Sequence, residues 1–169
     1  HRGGGVLLTT IHMGDFLHAI LQLAETMSRN EIYIVRQKKP DDVEARVFAK
    51  LDAIGVKARA IRSYEASSAI KVMRALKKGA IVVILFDLPE SYGAGTSVRF
   101  FGHDLSWVSA PSLLAQRTRS ILVPFVSYRV SRGLFQCDVL EVHDFSVGST
   151  AMCDANGLAQ KLANIAEQY

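Results

Sequence analysis

The run Ala80–Phe86 contains no polar side chain and is bounded by Gly79 and Asp87. A strand that is apolar at every position, not at alternate ones, needs cover on both faces. That requirement points to the centre of a largely parallel sheet with helices above and below it. The rest of the chain reads in agreement. Val6 to Ile11 is a β-branched and apolar run broken at Gly14, and Phe16, Ile20, Leu21, Leu23 and Met27 then recur at helical spacing. Ile32 to Val35 reads as a strand. Pro40, Asp41 and Asp42 open a helix that runs to about Ile54 and stops at Gly55.

Val56 to Ile61 is a further strand. Ser63 to Lys78 is a helix with basic residues at its C-terminal end, ending at Gly79. After Ala80–Phe86 comes a long loop, Asp87 to Gly95, then a strand over Ser97–Phe101. A short helix covers Ala110–Arg117, and paired strands cover Ser120–Arg129 and Leu134–Val142 around Ser131, Arg132 and Gly133. A last helix runs from about Asp154. Strands alternating with helices favour a parallel sheet with right-handed crossovers, and the late hairpin makes it mixed. The expected fold class is α/β: one domain over 1–169, a mixed, mainly parallel sheet flanked by helices.

Composition narrows the function classes. At 169 residues, with 49% hydrophobic and 21% charged, the chain is long enough for a real core and too apolar for disorder. The net charge of +4 favours anionic partners and selects none of them. The basic residues are scattered without aromatic interleaving, so no nucleic-acid partner is expected. Cys137 and Cys153 read as small buried hydrophobes, not a disulfide framework. No signal peptide is visible, and no apolar run reaches the roughly 18 residues of a membrane span. The chain opens on His1 without an initiator Met, so a fragment of a longer protein is expected.

His12 is the first candidate for chemistry. It follows a buried strand and precedes a helix, where open α/β sheets bind ligands. Histidine is the natural general base near neutral pH. On position alone an ordinary loop histidine serves as well. Asp15, three residues on, has two readings of equal weight: a carboxylate that orients the His12 imidazole, or a helix cap. Arg36 ends the second strand and Asp87 the fourth, so both fall on the edge that carries His12. Lys38 and Lys39 make the loop after Arg36 basic. Solvated loop charges would account for all of these equally well.

Other features are set aside. His18 reads as packed or exposed, His103 and Asp104 as a loop, and His143 and Asp144 as surface. No histidine pairs with Cys, Asp or Glu at metal-ligand spacing, so no metal is expected. Gly3, Gly4 and Gly5 precede a strand instead of following one, unlike a phosphate loop, and there is no Gly-x-Ser-x-Gly elbow.

Three stretches in order carry a family likeness. They are Gly4–Phe16 with its strand, His and Gly; Ala75–Gly79 through Asp87; and Val98–Gly102 followed by Ala110-Pro111, Leu114-Ala115 and Val123-Pro124-Phe125. Together they resemble the lipid A biosynthesis acyltransferases, within the wider lysophospholipid acyltransferase superfamily, over nearly the whole chain. The resemblance implies an acyltransferase-like fold and direct transfer of a fatty acyl group from an acyl carrier protein or coenzyme A, without a cofactor or covalent enzyme intermediate.

On this reading His12 and Asp15 are the expected catalytic residues, and Arg36, Asp87, Arg99 and Gly102 the expected substrate-binding positions. The acceptor is a lipid or a small molecule. Peripheral membrane contact and a cytoplasmic site at the inner face of a bacterial inner membrane are compatible with it. One departure stands out: the family carries a carboxylate five positions after the His, and here that position is Leu17. Either Asp15 takes the role, with Asp87 in reserve because its strand ends at the same edge, or the site is altered. An N-acyltransferase on a small amine and a non-catalytic lipid-binding relative are the alternatives.

Overall fold

The computed structural model describes residues 4–27, 31–37, 39, 41–146 and 154–169, the side chains of 43 and 47 aside. Gly3, Lys38, Pro40 and Cys153 lie outside the described residues. In chain order the elements are β1 (Val6–Thr10), α1 (Phe16–Thr26), β2 (Glu31–Arg36), α2 (Asp42–Ala53), β3 (Lys57–Arg62), α3 (Ser68–Lys77) and β4 (Ile81–Leu85). A 3-10 turn (Glu90–Tyr92) leads to β5 (Gly95–Phe100), β6 (His103–Val108), α4 (Ala110–Thr118), β7 (Ile121–Ser131), β8 (Leu134–Val139), β9 (His143–Asp144) and α5 (Ala155–Ala166).

The main sheet has the order β3-β2-β4-β1-β7-β8, with β9 also pairing to β7. The first five strands in that order run parallel, and β8 and β9 run antiparallel to β7. Every residue of β1 and of β4 is buried. Successive side chains alternate between faces. Val6, Leu8, Ile81, Val83 and Leu85 therefore pack with Ala19, Ile20 and Ala24 of α1, and Leu51 of α2 packs against this cluster. Leu7, Val82 and Phe86 pack on the other side with Leu76 of α3, Ala115 of α4 and Leu162 of α5. Burial on both faces is why β4 shows no alternation of polar and apolar residues. The α/β class and mixed, mainly parallel sheet expected from the pattern are what the chain forms.

Two stretches differ from the sequence reading. His103 and Asp104 open β6 instead of lying in a loop. Phe101 and Gly102 form a two-residue turn with φ of 46° and 76°, the twist that closes a tight hairpin. Phe100 pairs with His103 and Arg99 with Asp104 across it. The helix expected from Ser63 begins only at Ser68. The intervening residues are held in turns, with Ser63 N–H donating to Arg36 O at 2.9 Å and Glu65 N–H to Arg62 O at 3.1 Å.

The β5–β6 hairpin docks on α5. Arg99 N–H donates to Gln160 Oε1 and Gln160 Nε2 donates back to Arg99 O, both at 2.8 Å. This contact covers part of the hairpin edge and places Phe100 and Trp107 beside the C-terminal ends of the central strands.

Candidate active site

Strands β1 and β4 are neighbours in register, Thr10 opposite Leu85. Phe86 N–H donates to Thr10 O at 2.8 Å, extending the ladder by one step. The next residues on each side, two beyond the last pair, are His12 and Asp87. The His12 backbone N–H donates to Asp87 Oδ2 at 2.8 Å, and His12 Nδ1 lies 3.0 Å from Asp87 Oδ1. A carboxylate against Nδ1 selects the tautomer with its proton there, which leaves Nε2 as the basic nitrogen. The Phe16 ring meets the imidazole edge-on, with centroids 5.7 Å apart. The His12 side chain is 55% exposed and Asp87 20%, so the ring is open to a reactant while its partner is sheltered.

Asp15 does not take part in this pairing. It is the N-cap of α1, and its Oδ1 accepts from His18 N–H at 3.2 Å. Of its two readings the cap is the one the geometry supports. Gly14 explains the tight corner between His12 and α1. Its φ is +60°, and a Cβ there would sit 2.1 Å from the carbonyl oxygen of Ser127 on β7. Leu17 is half exposed and lines a cavity instead of facing the imidazole with a polar group.

That cavity, about 580 Å³, lies between α1 and α2. Ile20, Leu21, Ile34, Phe48 and Leu51 contribute apolar walls, and His12 borders it. Arg36 also lines it, although its charge is already met: Nη1 lies 2.7 Å from Glu44 Oε2. Arg62, opposite Arg36 on β3, binds the same carboxylate, with Nη1 to Oε2 at 3.1 Å and a second contact through Nη2. The hydrogen bonds Arg62 donates to Glu44 raise its pKa further, against the opposing effect of burial. Sequence reasoning missed Glu44 because it pairs with Arg36 across two elements.

A second cavity, about 510 Å³, opens on the other side of His12. It is bordered by Asp87, Phe100, Trp107, Tyr128, Arg129 and Tyr169 among others. Arg99 and Gly102, expected at the site, line neither cavity. Gly102 serves the hairpin turn, and Arg99 is exposed on β5 with its backbone held by Gln160. Trp107 was missed because β6, which carries it, was not read as a strand, and Phe100, Tyr128 and Tyr169 because they come together only from three separate parts of the chain. Among the described residues, no three His, Cys, Asp or Glu side chains converge as metal ligands do.

Compared with known proteins, residues 1–169 match the family described as bacterial lipid A biosynthesis acyltransferase. The chain belongs to that family. No curated protein matches it. Membership is consistent with the mixed, mainly parallel α/β fold, and makes the chain an acyltransferase of the lipid A type, with an acyl donor and a lipid acceptor in general terms. Among the described residues, no helix of this acyltransferase is long and apolar enough to cross a membrane.

Proposed function

We propose that the enzyme moves a fatty acyl group from an acyl thioester, carried by an acyl carrier protein or coenzyme A, to a hydroxyl or amine of its acceptor. His12 is the general base and Asp87 its positioning residue. The observation that carries this reading is the His12–Asp87 pair standing where two cavities meet. The cavity between α1 and α2 takes the acyl chain, where each buried methylene is worth about 0.8 kcal/mol.

The acceptor O–H or N–H gives its proton to Nε2 as the new bond to the thioester carbonyl carbon forms. Asp87 stabilises the imidazolium. The C–S bond then breaks, and the thiolate leaves with a proton returned from the ring. The developing oxyanion falls near the first turn of α1, where no described group accepts from the N–H of Phe16 or Leu17. Helix N-terminal amides of this kind favour negative charge.

Leu17 brings apolar surface to the acyl cavity, and Asp87 supplies the carboxylate from the neighbouring strand. Both features support an active site over a non-catalytic relative. A lipid acceptor would place the reaction at the inner face of a bacterial inner membrane. The test is thiol release from a panel of acyl thioesters with and without candidate acceptors. His12→Ala is expected to lower transfer ~10²- to 10⁴-fold. A His12→Ala enzyme with unchanged turnover would refute the assignment.

A further inference from the structure

The main sheet ends in β3 on one side and β8 on the other, and the two edges are finished differently. An edge strand offers unpaired N–H and C=O groups to any other strand, and exposed cations are a common guard against that. On β3, Lys57 and Arg59 stand exposed at alternate positions. On β8 the residues Leu134–Val139 include no lysine, arginine or proline, and Leu134, Phe135 and Val139 are exposed. The one charge of β8, Asp138, is engaged within the hairpin. It accepts from the Tyr128 hydroxyl at 2.7 Å and from Gln136 Nε2 at 2.8 Å.

The free side of β8 has a defined hydrogen-bonding phase. Leu140 N–H donates to Pro124 O of β7 at 2.9 Å. Successive residues of a strand turn their backbone groups to opposite sides. Gln136 and Asp138 therefore face β7 as Leu140 does, and the N–H and C=O groups of Phe135, Cys137 and Val139 point away from it. Among the described residues no strand takes them. Side chains alternate as well. Cys137 packs with the cluster under α1, so Phe135 and Val139 extend an apolar stripe on that face, while Gln136 and Asp138 lie on the other.

We propose that β8 pairs with β8 of a second copy of this chain, antiparallel, about a dyad at Cys137. Outward groups meet only outward groups, which limits the possible registers. With the dyad at Cys137, that residue faces the partner's Cys137 and Phe135 faces the partner's Val139. On the opposite face, Gln136 meets the partner's Asp138, an amide against a carboxylate. A dyad at Asp138 would set two carboxylates opposite each other, which is unfavourable. A dyad at Gln136 would leave Val139 opposite the turn residue Gly133 and shorten the ladder.

The edge is thus complementary to itself, and this selects a second copy over another partner. The outer strands of the resulting dimer are both β3, with their exposed cations, so assembly stops at two. No residue of β8 borders either cavity at His12. Both sites stay open, and the proposal is independent of the chemistry at His12.

Sedimentation equilibrium of the full chain over a concentration series, without lipid, tests the pairing. A reversible monomer–dimer equilibrium is expected. Gln136→Glu sets a carboxylate against the partner's Asp138 and should weaken association roughly 2- to 30-fold, the effect of two symmetry-related cross-strand pairs. Val139→Lys sets a cation against the partner's Phe135 and should weaken it at least as much. Gln136→Lys should keep or tighten the dimer, because the same position then carries the opposite charge. Both positions are exposed, and thermal midpoints near the parent value confirm that the variants fold.

Gln136→Lys is the decisive variant. A lysine on a free edge guards against indiscriminate pairing, so a retained dimer requires the partner's Asp138 opposite it. A monomer at every concentration would overturn the proposal. So would a dimer that tolerates Val139→Lys, or one that responds alike to Gln136→Glu and Gln136→Lys. Self-association seen only with phospholipid vesicles would assign the stripe to a lipid surface and discard the dimer.

Discussion

Asp87 holds His12 twice, one carboxylate oxygen on the ring nitrogen and the other on the backbone N–H of the same residue. A single side chain thus sets both the orientation of the imidazole and the position of the chain that carries it. Asp87→Asn is expected to lower kcat by at least about ten-fold, since an amide cannot stabilise the imidazolium as a carboxylate does. Asp15→Asn, which keeps a capping oxygen, should leave kcat near the parent value. Turnover and thermal midpoint measured side by side on both variants check the pair. Equal losses of kcat would return Asp15 to the site.

Gly14→Ala should be destabilising well beyond an ordinary surface change. The left-handed backbone costs an alanine roughly 1–2 kcal/mol, and the added methyl meets the Ser127 carbonyl oxygen at 2.1 Å, a backbone atom that has to move. The expected readouts are a lower urea midpoint and a loss of turnover larger than the stability change alone explains, because the displaced corner carries His12.

Glu44→Gln leaves two arginines facing each other in a sheltered place. Removing one partner of a buried ionic cluster typically costs about 3–5 kcal/mol. A loss toward the lower end is expected, because Arg36 is partly exposed. Chemical denaturation of the variant measures it, and a change under about 0.5 kcal/mol, the range of neutral surface substitutions, would show that the cluster is structurally idle.

Asp138 gives a pH signature. Hydrogen bonds from Gln136 and then Tyr128 hold its carboxyl below the usual carboxylate range. Its contribution to stability is therefore full above the unfolded-state value of about 3.9 and is lost as the pH falls through the lower folded value. Asp138→Asn should flatten the acid limb of the thermal-midpoint profile below about pH 4 while leaving the slope near neutrality unchanged. On the same network, Tyr128 is raised well above the ordinary phenol range, chiefly by Tyr169 and then by Asp138, so it remains a neutral donor through mildly alkaline conditions.

The parts of this architecture that repeat along the chain were legible in its sequence. The apolar run at β4, the helical spacing in α1 and the position of His12 at a strand end all follow from local pattern. The partner of His12 did not, for a physical reason. Asp15 is near in sequence, whereas Asp87 is near only once β4 has inserted beside β1, a choice of strand order that local pattern does not encode. Asp87 was legible as a residue of the right edge and as the reserve carboxylate for the imidazole, ranked behind Asp15. The β5–β6 hairpin was half read because Phe101–Gly102 is a two-residue turn with a bulky residue at positive φ. With β6 unread, Trp107 had no place in a site. Arg36 was read as a substrate-binding charge on that edge, and its pairing with Glu44 was not legible because Glu44 reaches it from a different element.

The ladder that aligns His12 with Asp87 is also the most deeply buried part of the sheet. Amide protons on such strands exchange with solvent mainly through global opening, while loops and termini open at far lower cost. His12 and Asp87 extend from the ends of these two strands, so they are anchored to the part of the sheet expected to open last. Fraying of the hairpin turns or helix ends is therefore expected to leave the imidazole geometry in place, with the His12–Asp87 pairing lost only as the core opens.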